Sequence, residues 1–204
     1  MNTQQQLKEA YNKQAKHRDS VITDDWKTNE REGFLRVLQC EKKTSLLEIG
    51  AGPGHDSLYF HQHGFHTFST DLSPEMIAIC KSKDLEAAEM NFYQLQFPDE
   101  QFDALYAFNC LLHVPKAELG EVLSELKRVI KPNGLFYLGV YGGRTSEGIW
   151  EEDVYEPKRF FSFYEHEPLQ SLLSAFFSIE SFNVIPSNVI GGDLAFQSIV
   201  LRKE

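Results

Sequence analysis

Two hydropathy periods alternate along this chain. Short apolar runs read as buried strands, and between them apolar residues return every three or four positions, as on one face of a helix. Residues 3–40 are mostly polar and read as two helical pieces broken near Asp19 to Thr23; in the second, Trp26, Phe34, Leu35 and Leu38 share a face. Strands are expected over 44–50, 65–70, 87–90, 102–108, 134–141, 178–186 and 193–201. Helices are expected over 54–63, from Ser73 and Pro74 to Lys81, over 116–130 and over 166–177. Ser73 is suited to cap and Pro74 to open its helix. Lys131, Pro132, Asn133 and Gly134 close the helix that carries Leu119, Val122, Leu123, Leu126, Val129 and Ile130. Residues 142–165 read as a long loop. Strands alternating with helices imply crossovers and a mostly parallel α/β sheet, whose ligands bind at the carboxyl ends of the strands.

Composition narrows the classes. The chain has 204 residues, 42% hydrophobic, the size of one α/β domain. With 20 Lys plus Arg against 30 Asp plus Glu it carries a formal charge of −10. An acidic chain without a basic run is repelled by phosphate backbones, so a nucleic-acid partner is not expected. Cys40, Cys80 and Cys110 are isolated, which fits reduced thiols in the cytoplasm. The first residues lack a signal-peptide pattern and no apolar run spans a bilayer, so no membrane role is expected.

After the first strand come Glu48, Ile49, Gly50, Ala51, Gly52, Pro53 and Gly54. Glycines permit a tight turn and let a ligand reach the backbone with no Cβ in the way. A dinucleotide fingerprint needs a third glycine at position 55, which is His55. Asp71 follows Gly50 by 21 residues, at the end of the second strand, where a carboxylate accepts hydrogen bonds from both ribose hydroxyls. The plainer alternatives are a bare strand-to-helix turn and an Asp that caps the turn before Ser73.

With these landmarks the sequence resembles the class I S-adenosylmethionine-dependent methyltransferases, of the generic small bacterial methyltransferase-domain type. The resemblance rests on residues 47–54, 70–76, 97–103, 111–115 and 126–134, in the family's order and spacing. It implies a Rossmann-like, seven-stranded, mostly parallel sheet of order 3-2-1-4-5-7-6 with helices on both faces, and S-adenosyl-L-methionine as cofactor. It also implies one methyltransferase domain over 1–204: a helical lid (1–40), a cofactor core (46–141), a substrate-cap loop (142–168), and a closing helix with strands (169–204). Glu48, Gly50, Ala51, Gly52 and Gly54 would hold the methionine part, and Asp71 the ribose. Leu72 and Met76 would flank the adenine, with Asn91 and Phe92 after the third strand; Asn91 replaces the family's usual Asp, so its amide accepts without a charge. Phe108, Asn109 and Cys110 would line the cofactor after the fourth strand.

Methyl transfer from a sulfonium is an in-line displacement that needs alignment and dryness more than a protein nucleophile. His113 is the candidate general base, expected to titrate near neutral pH; the competing reading is that it only shapes the turn before Val114 and Pro115. The acceptor is expected to be a small molecule, its pocket built by Tyr11, His113, Tyr141, Trp150, Tyr155 and Arg159. The acidic residues Glu147, Glu151, Glu152 and Asp153 read as a solvated face. His61, His63 and His66 lack the carboxylates or thiolates that would complete a metal site, so none is expected. Two other functions stay open: a non-catalytic S-adenosylmethionine-binding protein, and a nicotinamide-dependent oxidoreductase.

Overall fold

The computed structural model describes residues 3–204. Two N-terminal helices, α1 (Thr3–Ser20) and α2 (Asp25–Cys40), lead into alternating strands and helices. These are β1 (Ser45–Ile49), α3 (His55–Gln62), β2 (His66–Asp71), α4 (Pro74–Ser82), β3 (Glu86–Glu89) and β4 (Phe102–Phe108). After a 3-10 turn at Leu111–His113 come α5 (Leu119–Val129), β5 (Ile130–Gly142), β6 (Ser146–Ile149) and β7 (Phe160–Phe163). The chain closes with α6 (His166–Ser174), β8 (Ser178–Ile185), α7 (Ser187–Ile190) and β9 (Ala195–Arg202).

Seven strands form one sheet in the order β3-β2-β1-β4-β5-β9-β8. The first five run parallel, and β9 lies antiparallel between β5 and β8. This is the expected order, with β8 and β9 as the sixth and seventh strands. Strand alternation builds two cores. From β4, Leu105 and Ala107 face a cluster with Leu123 and Leu126 of α5, while Ala104 and Tyr106 face Phe34 and Leu38 of α2 and Phe60 of α3. Helices therefore cover both faces.

Beyond small shifts at element ends, three features differ from the sequence reading. β5 begins at Ile130, which pairs with Phe102 before the register shifts at Ala104 and Leu135. A side chain on Gly134 would stand 2.3 Å from Ile130 Cγ2, so the bend needs glycine there. α7 is a short turn where no helix was expected. The segment 142–165 is not a plain loop: β6 and β7 pair antiparallel from Ser146 with Phe163 to Ile149 with Phe160. The ten residues between these strands carry no hairpin turn signature, so nothing local announces the pairing.

Candidate cofactor and acceptor site

The loop after β1 uses its three glycines differently. All lie in the left-handed region, at φ 63° for Gly50, 55° for Gly52 and 77° for Gly54. A Cβ on Gly50 would sit 2.3 Å from Cys110 Cβ, and one on Gly54 would sit 2.8 Å from Cys80 Sγ and 2.9 Å from Leu85. Those two are packing glycines. A Cβ on Gly52 meets nothing nearer than Arg18 Nη2 at 4.0 Å, so it faces open space.

Asp71 ties this loop to the next. Its carboxylate accepts from the Gly52 and Ser73 backbone N–H groups, each at 2.8 Å. Burial raises its pKa, with the two N–H groups opposing that rise. Ser73 caps α4 as expected, accepting from Met76 N, and its hydroxyl donates to Asn12 Oδ1 at 2.6 Å. Glu48 is buried and hydrogen-bonded by Ser57. Burial, then the neighbouring Asp56 carboxyl, pushes Glu48 well above the usual carboxylate range.

Helix α1 straps the carboxyl ends of these strands. Lys8 pairs with Glu89 and Asn12 with Ser73, while Asp19 binds His55 at 3.1 Å and Lys83 at 2.6 Å. Tyr11 and Arg18, seven residues apart and so on one helix face, line the cleft beneath. They narrow it to about 50 Å³ between Gly50, Gly52, Asp71, Leu72, Phe92 and Cys110. Three cavities adjoin it. One of about 190 Å³ is lined by Leu72, Asn91, Phe92 and His113. A second of about 220 Å³ is lined by Glu48, Gly50, Ala51, Phe108, Asn109 and Tyr155. The third, about 570 Å³, is walled by Tyr141, Trp150, Phe161 and Phe163, with Arg144, Arg159 and His113. Asn109, in a left-handed conformation at the exit of β4, borders the cleft, the second cavity and the third.

At the junction of the cleft with the largest cavity sits a hydrogen-bonded chain. His113 Nδ1 lies 2.7 Å from the Phe160 carbonyl, which only accepts, so Nδ1 carries the proton. Nε2 then accepts from the Tyr11 hydroxyl at 2.7 Å. Arg159 Nη1 donates to the same hydroxyl oxygen at 3.1 Å. Burial raises the Tyr11 pKa, so the phenol stays protonated.

Several expectations change here. His113 does not titrate near neutrality: burial pushes it down to about 3. Arg159 is not free to meet a substrate charge, because Asp153 holds it at two points, 2.7 and 2.8 Å. Asp153 is accordingly no solvated residue; its side chain is 4% exposed. Met76 is fully buried in α4 and borders none of the cavities described, and Gly54 packs rather than lines. The Asn91 oxygen already accepts from Tyr93 N at 2.7 Å, leaving one lone pair. The remaining candidates border the cleft or its neighbouring cavities. The sequence reading omitted Arg18, Phe163 and Arg144. The spacing of Tyr11 and Arg18 was a signal available for the first; Phe163 needed the β6–β7 pairing.

The depressed His113 pKa has a consequence for stability. Between about pH 3 and 6.5 the unfolded chain takes a proton on this residue and the folded chain does not. Stability therefore rises with pH through that window and is lost as the pH falls, by up to roughly 3–5 kcal/mol. His113→Gln should make the pH dependence of the unfolding free energy shallower by about one proton between pH 4 and 6. Denaturant titrations of both proteins measure this, and equal slopes would refute the buried neutral imidazole.

A family model described as "Methyltransferase domain" matches residues 47–138, the stretch from β1 to the middle of β5. A sterol 24-C-methyltransferase, ERG6B of Gibberella zeae, is 38% identical over 78 residues, covering 38% of this chain and 19% of that protein. The uncharacterized methyltransferase YcgJ of Bacillus subtilis is 29% identical over 112 residues, covering 52% of this chain and 44% of YcgJ. The chain thus spans less than half the length of these two relatives. Among solved structures, the Burkholderia thailandensis 1,6-didemethyltoxoflavin-N1-methyltransferase, crystallised with its substrate and S-adenosylhomocysteine, superposes with a TM-score of 0.75. It is 20% identical, over 97% of this chain and 87% of that one, a likeness of fold. The matched domain, the sheet order and the glycine loop joined to Asp71 converge on one conclusion: residues 47–138 match the methyltransferase domain, on a seven-stranded fold like that of the Burkholderia enzyme.

Proposed function

We propose that this chain binds S-adenosylmethionine beneath α1 and directs its methyl group to a small molecule held in the largest cavity. The observation that carries the reading is Gly52, whose absent side chain leaves open space beside Asp71 instead of packing against protein. When bound, the cofactor supplies a methyl group on a sulfonium that is already an activated leaving group. Glu48, Gly50, Gly52, Ala51 and Asn109 would hold its amino-acid end, and Asp71 its ribose. Leu72, Asn91 and Phe92 border the cavity suited to the adenine.

The chain's own residues align and dry the reaction. Tyr11, Asn109 and His113 border both cleft and acceptor cavity, where reacting atoms would meet. Tyr11 presents its hydroxyl there, and His113 positions it from behind. A His held near pKa 3 is a poor sink for a proton. Trp150, Phe161 and Phe163 pack edge-on or stacked at 5.2–5.6 Å between centroids and form an apolar wall suited to a flat acceptor. The negative net charge argues against nucleic acid, and among the described residues no helix is long and apolar enough to cross a membrane. A cytoplasmic location, and the division of one domain into lid, core, cap and closing elements, belong to the same reading.

Calorimetry with S-adenosylhomocysteine tests it. Binding should be measurable and should raise the melting temperature, whereas NAD should do neither. Asp71→Ala should weaken that binding by about 1.5–3 kcal/mol, the loss of hydrogen bonds to a charged acceptor, while the sheet persists. Undiminished affinity in the folded variant would remove Asp71 from the ribose role.

A further inference from the structure

We propose that Arg18 is the receptor for the α-carboxylate of the cofactor's amino-acid end. The inference rests on the cofactor reading above and adds a residue to it.

Charge pairing across the molecule singles Arg18 out. Five arginines are partly buried, and four hold a carboxylate: Arg31 pairs with Asp56, Arg128 with Glu125, Arg159 with Asp153 and Arg202 with Glu41. Arg18 has none within 4 Å among the described residues. Its Nη1 donates to the Tyr155 hydroxyl at a long 3.3 Å, and its Nε is buried with no partner. A guanidinium withdrawn from water without an anion is costly, and a carboxylate arriving on it recovers that cost with two-point geometry.

Position supplies the second argument. Arg18 Nη2 lies 4.0 Å from where a Cβ on Gly52 would stand, directly over the open glycine of the loop. The cavity it borders there is also lined by Glu48 and by Asp56, the latter paired with Arg31. One small space thus brings a cation and two acidic residues together, as the zwitterionic head of an α-amino acid requires. Arg18 is held in place by its helix: the next residue, Asp19, is tied to Lys83 and His55. The cation therefore need not be recruited when the ligand arrives.

Two probes separate this role from a structural one. S-adenosylhomocysteine carries the amino-acid end, and 5′-methylthioadenosine lacks it while keeping adenine, ribose and sulfur. By calorimetry, Arg18→Gln should weaken S-adenosylhomocysteine about 10- to 100-fold, the range for a charge-assisted contact, and leave 5′-methylthioadenosine within about threefold. Arg18→Lys should recover part of the loss. Equal losses for both probes would assign Arg18 to shaping the cleft and overturn the proposal, as would an unchanged S-adenosylhomocysteine affinity. If Asp71→Ala loses both probes while Arg18→Gln loses neither, the cofactor site stands and the carboxylate assignment falls. A wild-type protein that binds neither probe would sink both.

Discussion

Gly52→Val should lose S-adenosylhomocysteine binding by at least about 100-fold in a protein that still folds, whereas Gly50→Ala should lose much of the fold itself. The two residues differ in what their missing side chains leave room for. At Gly52 the nearest atom to a new Cβ is the end of a flexible Arg18 side chain, 4.0 Å away. The protein then bears only the strain of a branched residue at φ 55°, about 1–2 kcal/mol. The added methyls occupy the space assigned to the ligand. At Gly50 the new Cβ would stand 2.3 Å from Cys110 Cβ and 3.0 Å from its sulfur. Cys110 cannot easily yield, because it is buried and its thiol donates to Ile49 O at 3.2 Å. Overpacking and left-handed strain together should cost about 3–5 kcal/mol, a large share of a typical domain's stability. That corresponds to a fall of about 10 °C or more in Tm for a chain of this size. Circular dichroism melts and calorimetry measure both outcomes. Normal binding by folded Gly52→Val would reduce the loop to a turn.

Tyr11→Phe and His113→Gln should each slow methyl transfer about 10- to 100-fold, and the double variant should be no slower than the worse single one. The reason is the chain of bonds from the Phe160 carbonyl through His113 to the Tyr11 hydroxyl, which Arg159 completes. Tyr11→Phe removes the phenol oxygen and His113→Gln leaves it unpositioned, so the second change removes nothing further. Single-turnover rates with an acceptor the enzyme turns over measure the cycle. The wild-type profile should show no limb near pH 6.5 from His113, since burial lowers its pKa to about 3. Additive losses, or a limb near 6.5 that vanishes in His113→Gln, would restore His113 as the base.

Much of this architecture follows from local pattern. The alternation of buried strands with amphipathic helices implied a parallel sheet, and β4 occupies the residues that its apolar run indicated. Ser73 and Pro74 open α4 because a hydroxyl acceptor and a fixed φ act within one turn. The glycine loop and Asp71 were legible for the same reason: their spacing is set by one strand, one helix and the next strand.

What lay beyond local pattern were the pairings between distant segments. Gly50, Gly52 and Gly54 look alike in the chain, and only contacts with Cys110, Cys80 and Leu85 divide packing from ligand approach. Asp153 and Arg159 each looked available to solvent or substrate until the fold of 150–159 closed them on one another. His113 reads as a neutral-pH base from residue type alone, yet its pKa depends on burial under Phe160 and Tyr11. Arg18 drew no attention in the sequence, yet α1 lays it across the glycine loop with no carboxylate partner among the described residues. By itself the sequence determined the order of elements, the sheet and the cofactor loop, because turn chemistry and hydrophobic period act over a few residues. Tertiary structure alone decided which charges are paired, which imidazole is neutral and which glycine faces open space, because desolvation and contact depend on residues up to 168 positions apart.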